Sequence, residues 1–186
     1  VGASGGSWVA MESEAAAGMD WLQWCFPEAE RRPGSILAFD EEPAWCDLSV
    51  AEPGISCKGP LDTDAGKLEA GLGGAVATVR ALLDEAVALG FNSERLLLGG
   101  FSQGAALAVL AGRMYGKRLG GIVGWAGWLL RPDGLHASSP RVDGWSHKAN
   151  AQTPILLCSV DDSESLPIGL ANDCVDKLRA SGADVT

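Results

Sequence analysis

Five residues, Gly100-Phe101-Ser102-Gln103-Gly104, set a serine between two glycines in the pattern G-x-S-x-G. A serine on a sharp strand-to-helix turn is a nucleophile for acyl transfer: the turn lifts its hydroxyl clear of the sheet. The helix start then turns backbone N–H groups and a positive dipole end toward a developing oxyanion. With 25 glycines in 186 residues the pattern also arises by chance, and Gly2-Ala3-Ser4-Gly5-Gly6 is a second match. Context separates the two. The run RLLL (Arg95 to Leu98) precedes Ser102 and QGAALAVLAGRMY (Gln103 to Tyr115) follows it, whereas only Val1 and Ala3 are apolar ahead of Ser4. Ser102 is therefore the candidate nucleophile, set against the plainer reading of a glycine-bounded serine in an ordinary turn. Gly100 and Gly104 are expected to lack side chains because strand and helix backbones cross closely there, with Ala105 and Ala106 extending the small surface.

The elements that must hold this turn alternate in type. Short apolar runs at Trp21 to Phe26, Ser35 to Phe39, Arg95 to Leu98, Ile122 to Trp125 and Pro154 to Ser159 predict buried strands. Helical spacing predicts helices over Trp8 to Met19, Leu68 to Leu89, Gln103 to Leu119 and Ile168 to Ala180, with Gly90 as a stop. The stretches Glu41 to Asp64 and Arg131 to Thr153 lose periodicity and predict long loops. Alternation of this kind predicts an α/β fold with a mostly parallel sheet, as a single domain over 1–186.

Composition excludes other classes. The chain carries 14 Lys+Arg against 24 Asp+Glu, a net charge of -10, which repels phosphate backbones and anionic membranes, so neither nucleic acid nor a membrane surface is an expected partner. The longest charge-free stretch, Leu96 to Gly112, is broken by Gly99, Gly100, Ser102 and Gln103, so no membrane insertion is expected. Cys25, Cys46, Cys57, Cys158 and Cys174 include no CxxC pair, which favours neither a zinc site nor a disulfide framework. A cytoplasmic location is the expectation, with no metal and no organic cofactor.

The stretch NSERLLLGGFSQGAALAV (Asn92 to Val109) resembles the acyl-protein thioesterase, carboxylesterase and lysophospholipase branch of the α/β-hydrolases. Other segments resemble that branch in the same order: GASGGSW (Gly2 to Trp8), CFPEAERRP (Cys25 to Pro33), PAWCD (Pro43 to Asp47) and PILLCSVDDSESLP (Pro154 to Pro167). The resemblance implies an α/β-hydrolase fold with helices on both faces of the sheet. It also implies a serine hydrolase that cleaves acyl esters or thioesters through an acyl-enzyme on Ser102, acting on an S-acylated protein, a lysophospholipid or a small acyl ester.

The same resemblance implies Gln103 and Val1 as backbone oxyanion donors and Asp162 as the triad acid; Trp45 is a candidate substrate-binding residue, set against a core or rim role. Aligning Pro167 without a gap puts Ser163 at the acid's place, so adjacent Asp161 and Asp162 both stay open, beside a reading as solvated loop carboxylates. The family order is serine, acid, histidine. His136 and His147 both precede Asp161, so the base is expected beyond Thr186, in a chain expected to lack both ends of the fold. The alternative is a non-catalytic hydrolase-fold protein that binds an acyl chain or a partner, with Trp45, Trp125 and Trp128 lining its cleft.

Overall fold

Strand β5 (Leu97–Phe101) pairs in parallel with β6 (Gly121–Trp125), and β6 with β7 (Ile155–Cys158), in the order β5-β6-β7. A computed structural model describes Met19 and residues 21–32, 42–46, 48–51, 54–57, 70–129, 148–159 and 168–186. A further parallel bridge joins Val185 to Ile155, with the Thr186 N–H donating to the Ile155 carbonyl at 3.0 Å. Among the described residues this sheet is parallel throughout, as the alternation of elements predicts. Before it come two antiparallel pairs, β1 (Arg31–Arg32) with β2 (Glu42–Pro43) and β3 (Leu48–Ala51) with β4 (Gly54–Cys57).

Helix α1 (Ala70–Ala88) buries Val76, Val79 and Leu83, spaced as one face of a 3.6-residue repeat. It ends at Gly90, whose φ of +99° only glycine adopts cheaply. There the Gly90 N–H donates to Val87 and that of Phe91 to Ala86, satisfying the last carbonyls. Helix α2 (Gln103–Met114) is small and buried along nearly its whole length, which lets it lie against β5 and β6. Helix α3 (Ile168–Ala180) places Cys174 and Leu178 in the core formed by α1, α2, Ile122 and Ile155. The described helices share this one core. Leu97, Phe101, Trp125 and Leu156 remain 44–55% exposed.

At the far end of α2 a polar hub replaces regular structure. The buried Asn150 side chain accepts from the Leu119 N–H at 2.8 Å and donates to the Tyr115 and Lys117 carbonyls at 2.8 and 2.9 Å. Buried Arg113 donates to the Asn150 and Ala151 carbonyls, both at 3.0 Å, and burial lowers its pKa. Nearby, Tyr115 donates to Asp84 at 2.9 Å. Burial, reinforced by that carboxylate, pushes the phenol up to about 12. The unfolded phenol ionises near 10, so this contribution to stability is complete below about pH 10 and is lost as pH rises toward 12. Tyr115 is the only tyrosine. Ultraviolet titration of the folded protein is therefore expected to give one transition near pH 12, and a transition at 10 would contradict the buried hydrogen bond.

Several expectations need correction. Trp21 to Phe26 is not a buried strand: it lies outside any sheet, Trp21 is 75% exposed, and Trp24 and Phe26 stack on each other with centroids 5.9 Å apart. The apolar run that suggested a strand instead stacks two of its rings on each other. Glu41 to Asp64 is not a plain loop, because it contains the β3–β4 pair, with Val50 opposite Ile55. Its Pro and Gly content masked a short hairpin. Strand β5 starts at Leu97, after a 3-10 turn at Ser93–Arg95 capped by Asn92, and runs on to Phe101. Helix α2 stops at Met114 rather than Leu119, where the Asn150 hub takes over. The helix expected over Trp8 to Met19, apart from its last residue, and the strand over Ser35 to Phe39 lie outside the described residues.

Candidate active site

Strand β5 delivers Ser102 directly onto the start of α2, in a backbone conformation that a side chain rarely adopts. Its φ is 53° and its ψ -118°. Such a conformation costs about 1–3 kcal/mol and persists only where the surroundings impose it. Here the Ser102 N–H donates to the Trp125 carbonyl of β6 at 2.8 Å, and the Ser102 carbonyl accepts from Ala105 and Ala106 at 3.0 and 3.2 Å. Serine at a helix N-cap ordinarily turns its hydroxyl back to the helix, but this one makes no such bond. The hydroxyl is left available for chemistry.

Crowding fixes the turn. A Cβ added at Gly100 would sit 2.2 Å from the Gly104 carbonyl carbon and oxygen and 2.6 Å from the Ala105 nitrogen. Glycine is thus required at 100 by the crossing of strand and helix backbones. Gly104 differs from expectation, since a Cβ there meets nothing within 4 Å among the described residues. It is the backbone of Gly104, not its missing side chain, that makes the close approach. Gly127 completes the seat, with its Cβ position 2.6 Å from that of Ala105.

Gln103 is the first residue of α2, so its N–H has no carbonyl one turn back to bond and lies at the positive end of the helix dipole. Its side chain has a role the sequence did not suggest. Only 2% exposed, the carboxamide accepts from the Trp45 N–H at 2.8 Å and donates to the Cys46 carbonyl at 2.6 Å and to the Cys46 sulfur at 3.3 Å. Trp45 is thereby brought beside the turn. Of the other two tryptophans named for a cleft, Trp125 adjoins the turn through its carbonyl, whereas Trp128 is core. Trp128 is 4% exposed, and among the described residues its indole Nε1 has no hydrogen-bond partner. Trp125 is half-exposed, with its ring packed over Gly99.

Phe101, Trp125 and Cys158 are in register at the carboxyl edge of the sheet, so Ser102 and the end of β7 leave the same edge two strands apart, about 10 Å. Ser159 and Ile168, which bracket residues 160–167, both line a cavity of about 180 Å³ together with Gly124, Gly127 and Asn172. Val1, Asp161, Asp162, Ser163, His136 and His147 lie outside the described residues. Among the described residues no group of three or more His, Cys, Asp and Glu side chains is arranged to hold a metal ion, and no helix is long and apolar enough to cross a membrane.

The sequence profile of the phospholipase/carboxylesterase family matches residues 1–186. The chain belongs to this family. As a phospholipase/carboxylesterase family member it is a serine hydrolase of carboxylic esters or thioesters with an acyl substrate. It is 30% identical over 173 residues to acyl-protein thioesterase 1 of Schizosaccharomyces pombe, covering 92% of this chain and 69% of that one. It is 35% identical over 107 residues to a probable carboxylesterase, SOBER1-like, of Arabidopsis thaliana, covering 58% of this chain and 38% of that one. The crystal structure of Arabidopsis thaliana SOBER1 superposes with a TM-score of 0.78 at 24% identity, over 99% of this chain and 81% of that one. That likeness establishes the α/β-hydrolase fold.

Proposed function

We propose that this family member forms its acyl-enzyme on Ser102. The observation that carries the proposal is a non-glycine residue at φ 53°, at the joint of β5 and α2, with its hydroxyl unused by the helix. The Ser102 Oγ attacks the acyl carbonyl while its proton passes to a general base. The resulting oxyanion is received by the Gln103 N–H and by that of Val1. Collapse breaks the bond to the leaving alcohol or thiol, which takes up the proton, and water then repeats the sequence to release the carboxylate.

Asp162 orients the base in this reading. The order of serine, acid and histidine puts that base after Asp162, which neither His136 nor His147 satisfies. The separation of about 10 Å between the two strand ends leaves room for one imidazole bridging acid and serine. Trp45 contacts the substrate beside the turn.

S-acylated proteins are the substrates that the similarity to the Schizosaccharomyces pombe thioesterase supports, with lysophospholipids and small esters open to the same chemistry. The thiols of Cys25, Cys158 and Cys174, none in a disulfide, support a reducing, cytoplasmic setting. In the full-length protein one equivalent of a fluorophosphonate is expected to stop hydrolysis of an octanoyl oxyester and an octanoyl thioester together. Turnover that survives stoichiometric labelling would remove the serine mechanism.

A further inference from the structure

The turn and the strap at residues 44–46 are 57 to 58 positions apart in the chain, yet the carboxamide of the residue after Ser102 joins them by three hydrogen bonds. The Trp45 N–H can only donate and the Cys46 carbonyl can only accept, so the side chain at 103 must present an acceptor and a donor at once. An amide does this; a carboxylate would set its oxygen against the Cys46 carbonyl, and a thioether would remove the amide's bonds to both groups. Ala44 and Cys46 are each 3% exposed, whereas Trp45 between them keeps part of its surface open while packing against the core. The strap is thus anchored on both sides of the one residue that faces outward.

We infer that the Gln103 carboxamide is a positioning residue that docks the 44–46 strap so that Trp45 forms one wall of the acyl-group site, and thereby sets the preference for longer acyl chains. This rests on the reading of Ser102 as nucleophile and extends it to substrate selection. The side chain touches no reacting atom; the backbone of the same residue does. Strap and oxyanion donor accordingly move as one unit, and an acyl chain that reaches Trp45 senses the state of the amide while an acetyl group does not.

The test is the ratio of kcat/KM for p-nitrophenyl octanoate to that for p-nitrophenyl acetate, measured on the full-length protein, because changes common to both esters cancel. Trp45→Ala and Gln103→Met are each expected to lower the ratio by about 10-fold or more, and the double variant to fall no further than Trp45→Ala alone. Gln103→Glu is expected to lower the ratio at pH 8 and to recover it at pH 5, where the protonated acid can again donate to the Cys46 carbonyl. A ratio unchanged in Gln103→Met, losses that multiply in the double variant, or a Gln103→Glu ratio independent of pH would overturn the inference. If Gln103→Met does not fold, the two pH values of Gln103→Glu decide within one protein. Failure of the underlying reading is separate: it shows as turnover retained in Ser102→Ala, whatever the ratios do.

Discussion

Ser102→Ala is expected to lower turnover of short esters and thioesters by about 10⁴-fold or more, with the melting temperature unchanged or raised. The size of the effect follows from the chemistry, since without the Oγ no acyl-enzyme forms and only binding and the oxyanion donors remain to accelerate attack by water. The direction of the stability change follows from the backbone. Residue 102 holds a φ of 53° without a side-chain cap bond, so removal of the hydroxyl forfeits no hydrogen bond to the helix. A turnover loss below about 10-fold, measured by initial rates on purified full-length protein, would place the nucleophile elsewhere.

The second large effect is at Gly100. Gly100→Ala puts a methyl group 2.2 Å from the Gly104 carbonyl, against Gly104 and Ala105 backbone that has no rotamer to escape into. The crossing of β5 and α2 must open, and stability is expected to fall by about 3 kcal/mol or more, read as a shift in the denaturation midpoint. Gly104→Ala is the matched control. With nothing within 4 Å of its Cβ position among the described residues, and with alanine favoured over glycine inside a helix, it is expected to leave stability within about 1 kcal/mol of the parent. Equal losses from the two substitutions would contradict the asymmetry of the turn.

That asymmetry marks where the sequence was legible and where it was not. A glycine-bounded serine between an apolar strand and an alanine-rich helix is a local pattern, and strand, turn and helix follow in that order, although the strand is shifted to Leu97–Phe101 and the helix ends at Met114. Which glycine is sterically required depends on how two backbones cross, a relation between elements that no local window contains. The end of α2 and the docking of the strap were illegible for the same reason: Asn150 reaches Tyr115 across 35 residues and Gln103 reaches Trp45 across 58. Apolar character alone also misled. Trp21 to Phe26 has the composition of a buried strand but pairs with no strand among the described residues, and the rings of Trp24 and Phe26 stack on each other. Trp128, a cleft residue only in the non-catalytic alternative, lies in the core, where a large ring gains from burial.

The account stands on Ser102 as the residue that carries the acyl group, and covalent labelling reads that out directly. Trypsin releases the labelled region as residues 96–113, bounded by Arg95 and Arg113, in which Ser102 is the only serine. After treatment of the full-length protein with a fluorophosphonate, mass spectrometry is expected to find a single adduct on that peptide, in step with the loss of turnover. An adduct on Ser4 in the other G-x-S-x-G match, or full inactivation with peptide 96–113 unmodified, would contradict it.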